Sequence, residues 1–199
     1  MGVATETTRP ARHATREKLL DAGVSVAEDH GLSGLSVNRV VAQAGLAKGT
    51  FYVHFADRSA FIDALHERFH ARVIDAVAGA TEGVPDGAER IVRGAEAYLD
   101  VCLEDQAVKA LAVEARSDPA LTASMSARHE RFAAAAVPSF RAMGWRDAPT
   151  AAQLFAAMTS EIAIRELDAA KPLPAARRTL RRFLDVSPTG LGRSARARR

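Results

Sequence analysis

Two groups of side chains in this 199-residue chain have the types and spacing to do chemistry. The first is His66-Glu67-Arg68-Phe69-His70, which fits the HExxH pattern. Two imidazoles four residues apart share a helix face and can reach one zinc ion, with the glutamate between them as general base. A zinc metallohydrolase through residues 66–70 is therefore one reading of the chain. The residues that follow, ARVIDAV, lack the glycine and third histidine of the metzincin extension, which leaves Glu82 or Glu89 as third ligand. Five-residue patterns of this kind also arise by chance, and the expectation is of two histidines partly exposed on a connecting helix, with no metal, cofactor or catalytic residue. The second group is Lys48, Gly49, Thr50, Tyr52 and His54. Its chemistry would be hydrogen bonding and ion pairing to phosphates and base edges, with no bond made or broken. Cys102 is the only cysteine, so there is no internal disulfide and no cysteine-based zinc site; a small buried hydrophobe is expected there.

The second group needs two short helices to position it. Val37, Val40, Val41 and Ala44 fall at i, i+3, i+4 and i+7, one buried helix face. Ser36 stands where a cap accepts from a free backbone N–H, and Gly45 stands where the chain leaves the helix in a left-handed conformation. From Ala47 a second segment begins in which Phe51 and Phe55 point the same way, leaving Lys48, Gly49, Thr50, Tyr52 and His54 on the opposite side with Val53 as the one large apolar residue among them. Helix, glycine turn and a short donor-rich helix make the helix-turn-helix pattern, whose second helix enters the major groove of DNA.

LLDAGVSVAEDHGLSGLSVNRVVAQAGLAKGTFYVHFADRSAFIDAL resembles the amino-terminal domain of the tetracycline-repressor (TetR) family, and AGLAKGTFYVHF is close to the signature around that family's recognition helix. The resemblance covers roughly Arg12 to Val73. It implies a recognition helix third in order, an all-helical body that binds an effector and forms a homodimer, and double-stranded operator DNA that a small-molecule ligand releases. By position it implies Lys48, Gly49 and Thr50 against bases and phosphates, Tyr52 and His54 reaching phosphate, and Ser36, Asn38, Arg39 and Arg58 clamping the DNA backbone. Two residues depart from the pattern. Ala47 stands where a capping Ser or Thr is common, and Asn38-Arg39 stand where an acidic residue is frequent. These departures are the sequence support for a third reading, a helical dimer module without DNA binding.

The expected fold is all-α: an amino-terminal three-helix helix-turn-helix domain and a helical body, about nine helices in all. Abundant alanine, 6% aromatic residues and no alternating β-branched runs favour helices. No apolar stretch approaches a membrane span and the amino terminus lacks a signal-peptide core, so a cytoplasmic protein with no membrane partner is expected. Net charge is +1 over residues 1–60, −2 over 61–186 and +4 in the last thirteen residues, so DNA binding has to be argued from the placement of charge and not its total. The expected divisions are a disordered arm at 1–12, a DNA-binding domain at 13–73 with the helix-turn-helix at 36–55, an effector-binding and dimerisation domain at 74–186, and a basic disordered tail at 187–199. Helix 1 is expected over Arg12–His30, closed by Gly31, and Asp57 is expected to cap a long connecting helix that ends near Gly83.

The body follows a GVPDG break, with helices expected at 87–103, 106–116, 119–143, 149–170 and 174–186 and a kink at Pro138. Such a kink opens room for a mostly apolar ligand pocket, drawn from Tyr98, Cys102, Glu114, Met125, His129, Phe132, Trp145 and Met158. The last two helices carry more apolar surface than one face needs, and Phe155, Met158, Ile162, Leu180, Phe183 and Leu184 are expected against a second copy. Arg177, Arg178, Arg181 and Arg182 read as a solvated face.

Overall fold

The structure, a computed structural model, describes residues 8–105 and 119–185. In chain order the helices are α1 (Thr8–Gly34), α2 (Val37–Ala44), α3 (Lys48–His54), α4 (Arg58–Thr81), α5 (Ala88–Glu104), α6 (Pro119–Ala135), α7 (Val137–Ala142), α8 (Ala148–Ala169) and α9 (Pro174–Leu184). No strand occurs among the described residues, as the composition leads one to expect. The expected helix at 106–116 and the basic tail lie outside the described residues. The chain forms two compact units, with the division inside α4 between Phe69 and His70.

The first unit is built on large side chains at helical spacing. Leu19 and Leu20 of α1, Val40 of α2, Phe51 of α3 and Phe61, Ile62 and Leu65 of α4 are all at or near complete burial. Each fully buried phenylalanine or leucine contributes about 1.5–3 kcal/mol. The rings of Phe51, Phe55 and Phe61 meet in a cluster with centroids 4.9–5.3 Å apart. Gly23 of α1 faces this cluster so closely that a Cβ there would lie 2.5 Å from Phe61 Cζ; the helices meet at that distance because the residue is glycine. α1 starts four residues before its expected start and, instead of closing at Gly31, runs on to Gly34 with a kink at Gly31, whose φ is 61° and ψ −170°.

His66 corrects one expectation. It is 1% exposed, because Ile62, Leu65, His66 and Phe69 share the inward face of α4, whereas Glu67 is exposed and His70 half-buried. Among the described residues, no three or more His, Cys, Asp or Glu side chains gather where they could hold a metal ion.

The second unit is built on small residues and charge. Ile91, Ala95, Tyr98, Leu99 and Cys102 of α5 pack with Phe140 of α7 and Ala152, Phe155 and Ala163 of α8. Pro138 does more than kink the expected 119–143 helix: the chain turns at Ala136 and restarts as α7 with the proline in its first turn. Arg177 is the second correction. It is not part of a solvated face: its side chain is 16% exposed and clamps Glu166, which is 0% exposed. Nε and Nη2 donate to the two carboxylate oxygens at 2.7 Å each, Nη1 donates to Asp100 at 2.6 Å, and the Leu173 N–H donates to Glu166 at 2.8 Å. The reason is positional: a left-handed Ala170 ends α8, and the short turn to α9 brings Arg177 over the carboxylate. Arg181 pairs with Glu96 at the surface, while Arg178 and Arg182 are exposed as expected.

Candidate nucleic-acid interface

α2 holds its shape through both of its ends. Ser36 accepts from the Arg39 N–H at 3.3 Å, and Gly45, at φ 62°, lets the N–H groups of Gly45 and Leu46 return to the carbonyls of Ala42 and Val41. α3 then starts at Lys48 with Ala47 before it, and no side chain caps it. What fixes α3 is its inner residue, Phe51, completely buried in the ring cluster, with Tyr52 edge-on to it at 5.5 Å. Its far end is held by α1: Arg12 Nη2 donates to the Val53 carbonyl at 3.1 Å, and the Arg16 guanidinium lies over the Phe55 ring at 5.4 Å.

With Phe51 pointing inward, 100° per residue puts Gly49 and Val53 almost directly opposite, flanked by Thr50 and Tyr52. Tyr52 is 51% exposed and Val53 57%; Lys48 and Gly49 are exposed and Thr50 and His54 half-buried. A Cβ at Gly49 would touch nothing within 4 Å, so the summit of the helix is open. The residues around it are thus a lysine, two hydroxyls and one bare isopropyl group, a set that can bond phosphate, read base edges and touch a thymine methyl. Val53 was singled out in the sequence only as an apolar exception; the signal that places it at the summit is its two-residue offset from the buried Phe51.

The flanking residues behave differently from one another. Asn38 is exposed. Arg39 Nη1 donates to the Gly34 carbonyl at 3.0 Å, and Arg58 Nε donates to the Leu35 carbonyl at 2.6 Å, so both guanidiniums brace the loop before α2 with part of their donor set. Asp57 caps α4 as expected, accepting from Ala60 N–H at 2.8 Å. The pKa of His54 is lowered, first by burial and then by the charges of Arg12 and Arg16, which keeps its ring neutral at pH 7. Arg12 and Arg16 were not among the candidates from sequence, since nothing in their spacing tells that α1 passes the end of α3.

The family model for "Bacterial regulatory proteins, tetR family" matches residues 19–65. That stretch, from α1 through α3 into α4, is the part of the chain that is similar to TetR-family regulators. A relative, the uncharacterized HTH-type transcriptional regulator YvdT of Bacillus subtilis (strain 168), is 36% identical over 70 residues. That match spans 35% of this chain and 36% of YvdT, about a third of the relative's length. The fold is similar over far more of the chain. A putative TetR-family regulator from a Rhodococcus species superposes with a TM-score of 0.76 at 24% identity, over 87% of this chain and 98% of that one. The fatty acid degradation regulator FadR from Bacillus halodurans gives 0.75 at 18%, over 85% and 94%.

Among the described residues, the pocket candidates from sequence do not assemble into one site. Phe132 lines a cavity of about 110 Å³ in the second unit, together with Val77 and Thr81 of α4, Ile91 and Gly94 of α5, and Phe155, Ala156 and Thr159 of α8. Tyr98 is buried with its ring 5.4 Å from Phe132, and Cys102 is buried in α5. Trp145 packs on Phe140, His129 is exposed, and Met158 lies in a separate groove. Glu114 and the side chain of Met125 lie outside the described residues.

The expected dimer residues divide similarly. Met158, Ile162, Leu180 and Phe183 line an open groove of about 620 Å³ along α8 and α9, floored by Ala157, Ala175 and Ala176. Phe183 is exposed, as is Leu154 on α8. Phe155 and Leu184 instead point into the unit's own core.

Proposed function

We propose that the chain is a sequence-specific transcriptional regulator, a repressor that binds double-stranded operator DNA as a homodimer and leaves it when a small molecule occupies the body. The observation that carries this reading is the summit of α3: an inward Phe51 opposite an open Gly49–Val53 ridge with Lys48, Thr50 and Tyr52 on its flanks. A helix so braced enters a major groove about 12 Å wide without rearrangement. Lys48 and Tyr52 bond phosphate, Thr50 bonds phosphate or a base edge, and Val53 meets a thymine methyl. Ser36, Asn38, Arg39, His54 and Arg58 approach the backbone on either side. Two copies joined along the α8–α9 groove would present two α3 helices to half-sites about 34 Å apart on a pseudo-palindrome. No helix among the described residues is long and apolar enough to cross a membrane, and a cytoplasmic location suits an operator-binding protein.

Fluorescence anisotropy against tiled fragments of the DNA upstream of its own gene, at two salt concentrations, tests the reading. One fragment should bind tightly and resist added salt better than the rest. Lys48→Ala should weaken that binding and make the salt slope shallower by about one unit, with dimerisation unchanged. Uniform weak binding that vanishes with salt would end the proposal.

A further inference from the structure

The cavity among α4, α5, α6, α7 and α8 carries information about what can fill it. Its volume, about 110 Å³, is near the roughly 150 Å³ apolar cavity that admits one benzene ring, and it leaves no room for a long acyl chain. Its wall is mostly aliphatic and aromatic, because Gly94 and several alanines stand where larger residues would have filled the space.

The three hydroxyls on the wall have already used their protons. Thr81 donates to the Val77 carbonyl at 2.7 Å, Thr159 to the Phe155 carbonyl at 2.8 Å and Ser139 to Asp86 at 2.8 Å. Each hydroxyl therefore turns only acceptor lone pairs toward a ligand. Arg90 is the charged residue among the described lining residues. Its Nη1 donates to the carbonyls of Thr81 and Val84 at 2.6 and 2.9 Å, and its Nε lies 3.7 Å from Asp86, whose charge opposes its own. A carboxylate entering this space would lose its water and meet few donors in exchange, whereas an uncharged ring loses little and gains an apolar wall.

We infer that this cavity takes an uncharged, single-ring apolar molecule carrying at most a hydrogen-bond donor, and that occupancy by such a molecule releases the operator; the second half rests on the regulator reading above. Calorimetric titration of the full chain with toluene, benzyl alcohol, benzoate and decanoate tests it. Toluene and benzyl alcohol should bind once per chain, with benzoate and decanoate at least tenfold weaker. Thr159→Val should weaken benzyl alcohol severalfold and leave toluene unchanged. Ala156→Leu should abolish toluene binding by filling the space. Gly94→Ala gives a milder control that will fold, since its Cβ would meet Val77 Cγ1 at 3.4 Å and Thr81 Cγ2 at 3.7 Å, ordinary contact; toluene should weaken severalfold there too. Failure of both uncharged rings to bind, benzoate or decanoate binding as tightly as toluene, or toluene binding unaltered in both filled variants would overturn the cavity assignment. Anisotropy of the operator complex on the same samples separates the two halves. Toluene that binds without changing operator affinity supports the cavity chemistry and overturns the regulatory half alone.

Discussion

The two units of this chain are both helical, but different kinds of side chain hold them. In the first unit, three phenylalanine rings and a set of leucines and valines sit at regular helical spacing and close on one another with little space left. In the second, alanine, glycine and threonine leave a cavity, and a buried carboxylate is matched by an arginine eleven residues away in sequence, which also donates to an aspartate more distant still. On the proposed function, a helix presenting fixed donors to DNA gains from a tight aromatic brace. On the same reading, a body that admits a ligand is packed less densely. The comparison predicts that the two units fail in different ways.

The largest effect is expected at the buried ion pair. Arg177→Ala leaves the Glu166 carboxylate buried without its fork and should destabilise the second unit by about 3–5 kcal/mol, read as an early urea transition from probes in α8 and α9. The pH dependence has a definite sign. Burial pushes the Glu166 carboxyl up, but the hydrogen bonds from Arg177 and the Leu173 N–H and the guanidinium charge outweigh it and hold the pKa below 4.5. The pair's stabilisation is therefore complete above pH 4.5 and lost as the pH falls below it. A midpoint for the second unit that stayed flat from pH 6 to 3 would remove the argument.

Gly23→Ala comes next, and it strikes the first unit. In an open helix the change would stabilise by roughly 1 kcal/mol. Here the added methyl would meet Phe61, whose ring is wedged between Phe51 and Phe55 and has nowhere to go. A net loss of about 1–3 kcal/mol is expected by thermal unfolding, and any gain in stability would show that the cluster is looser than described.

The last two expectations concern the ridge of α3. Replacing operator thymines one at a time by deoxyuridine should cost wild-type protein about 0.8 kcal/mol at the base Val53 touches, and nothing there in Val53→Ala. His54→Gln should leave the salt slope unchanged between pH 7 and 8, because a ring whose pKa lies below 6.5 carries no charge to exchange there; a slope that falls by a unit, as for Lys48→Ala, would show the ring charged on DNA.

Much of the first unit was legible from the chain alone, since large residues at i, i+3 and i+4 report their own burial. The cap at Ser36, the left-handed Gly45 and the inward Phe51 and Phe55 all came from local pattern and recur in the structure. His66 was misjudged because a chemically suggestive pattern drew attention from its neighbours: its spacing from Ile62 and Phe69 already put it on the buried face. Arg177 was misjudged for a different reason. Four arginines on one helix look alike until Glu166 and Asp100 arrive from other helices to select one of them.

By itself, then, the sequence determined the helical class, the order of the first four helices and the residues on the outer face of α3, because those depend on periodicity and on side chains within one or two turns. Only the tertiary structure decided which arginine is buried, that Arg12 and Arg16 of α1 stand beside the end of α3, and where the cavity lies. A cavity is a place that side chains fail to fill, and its shape depends on residues from five helices at once. No local pattern in one segment records what the other four leave empty.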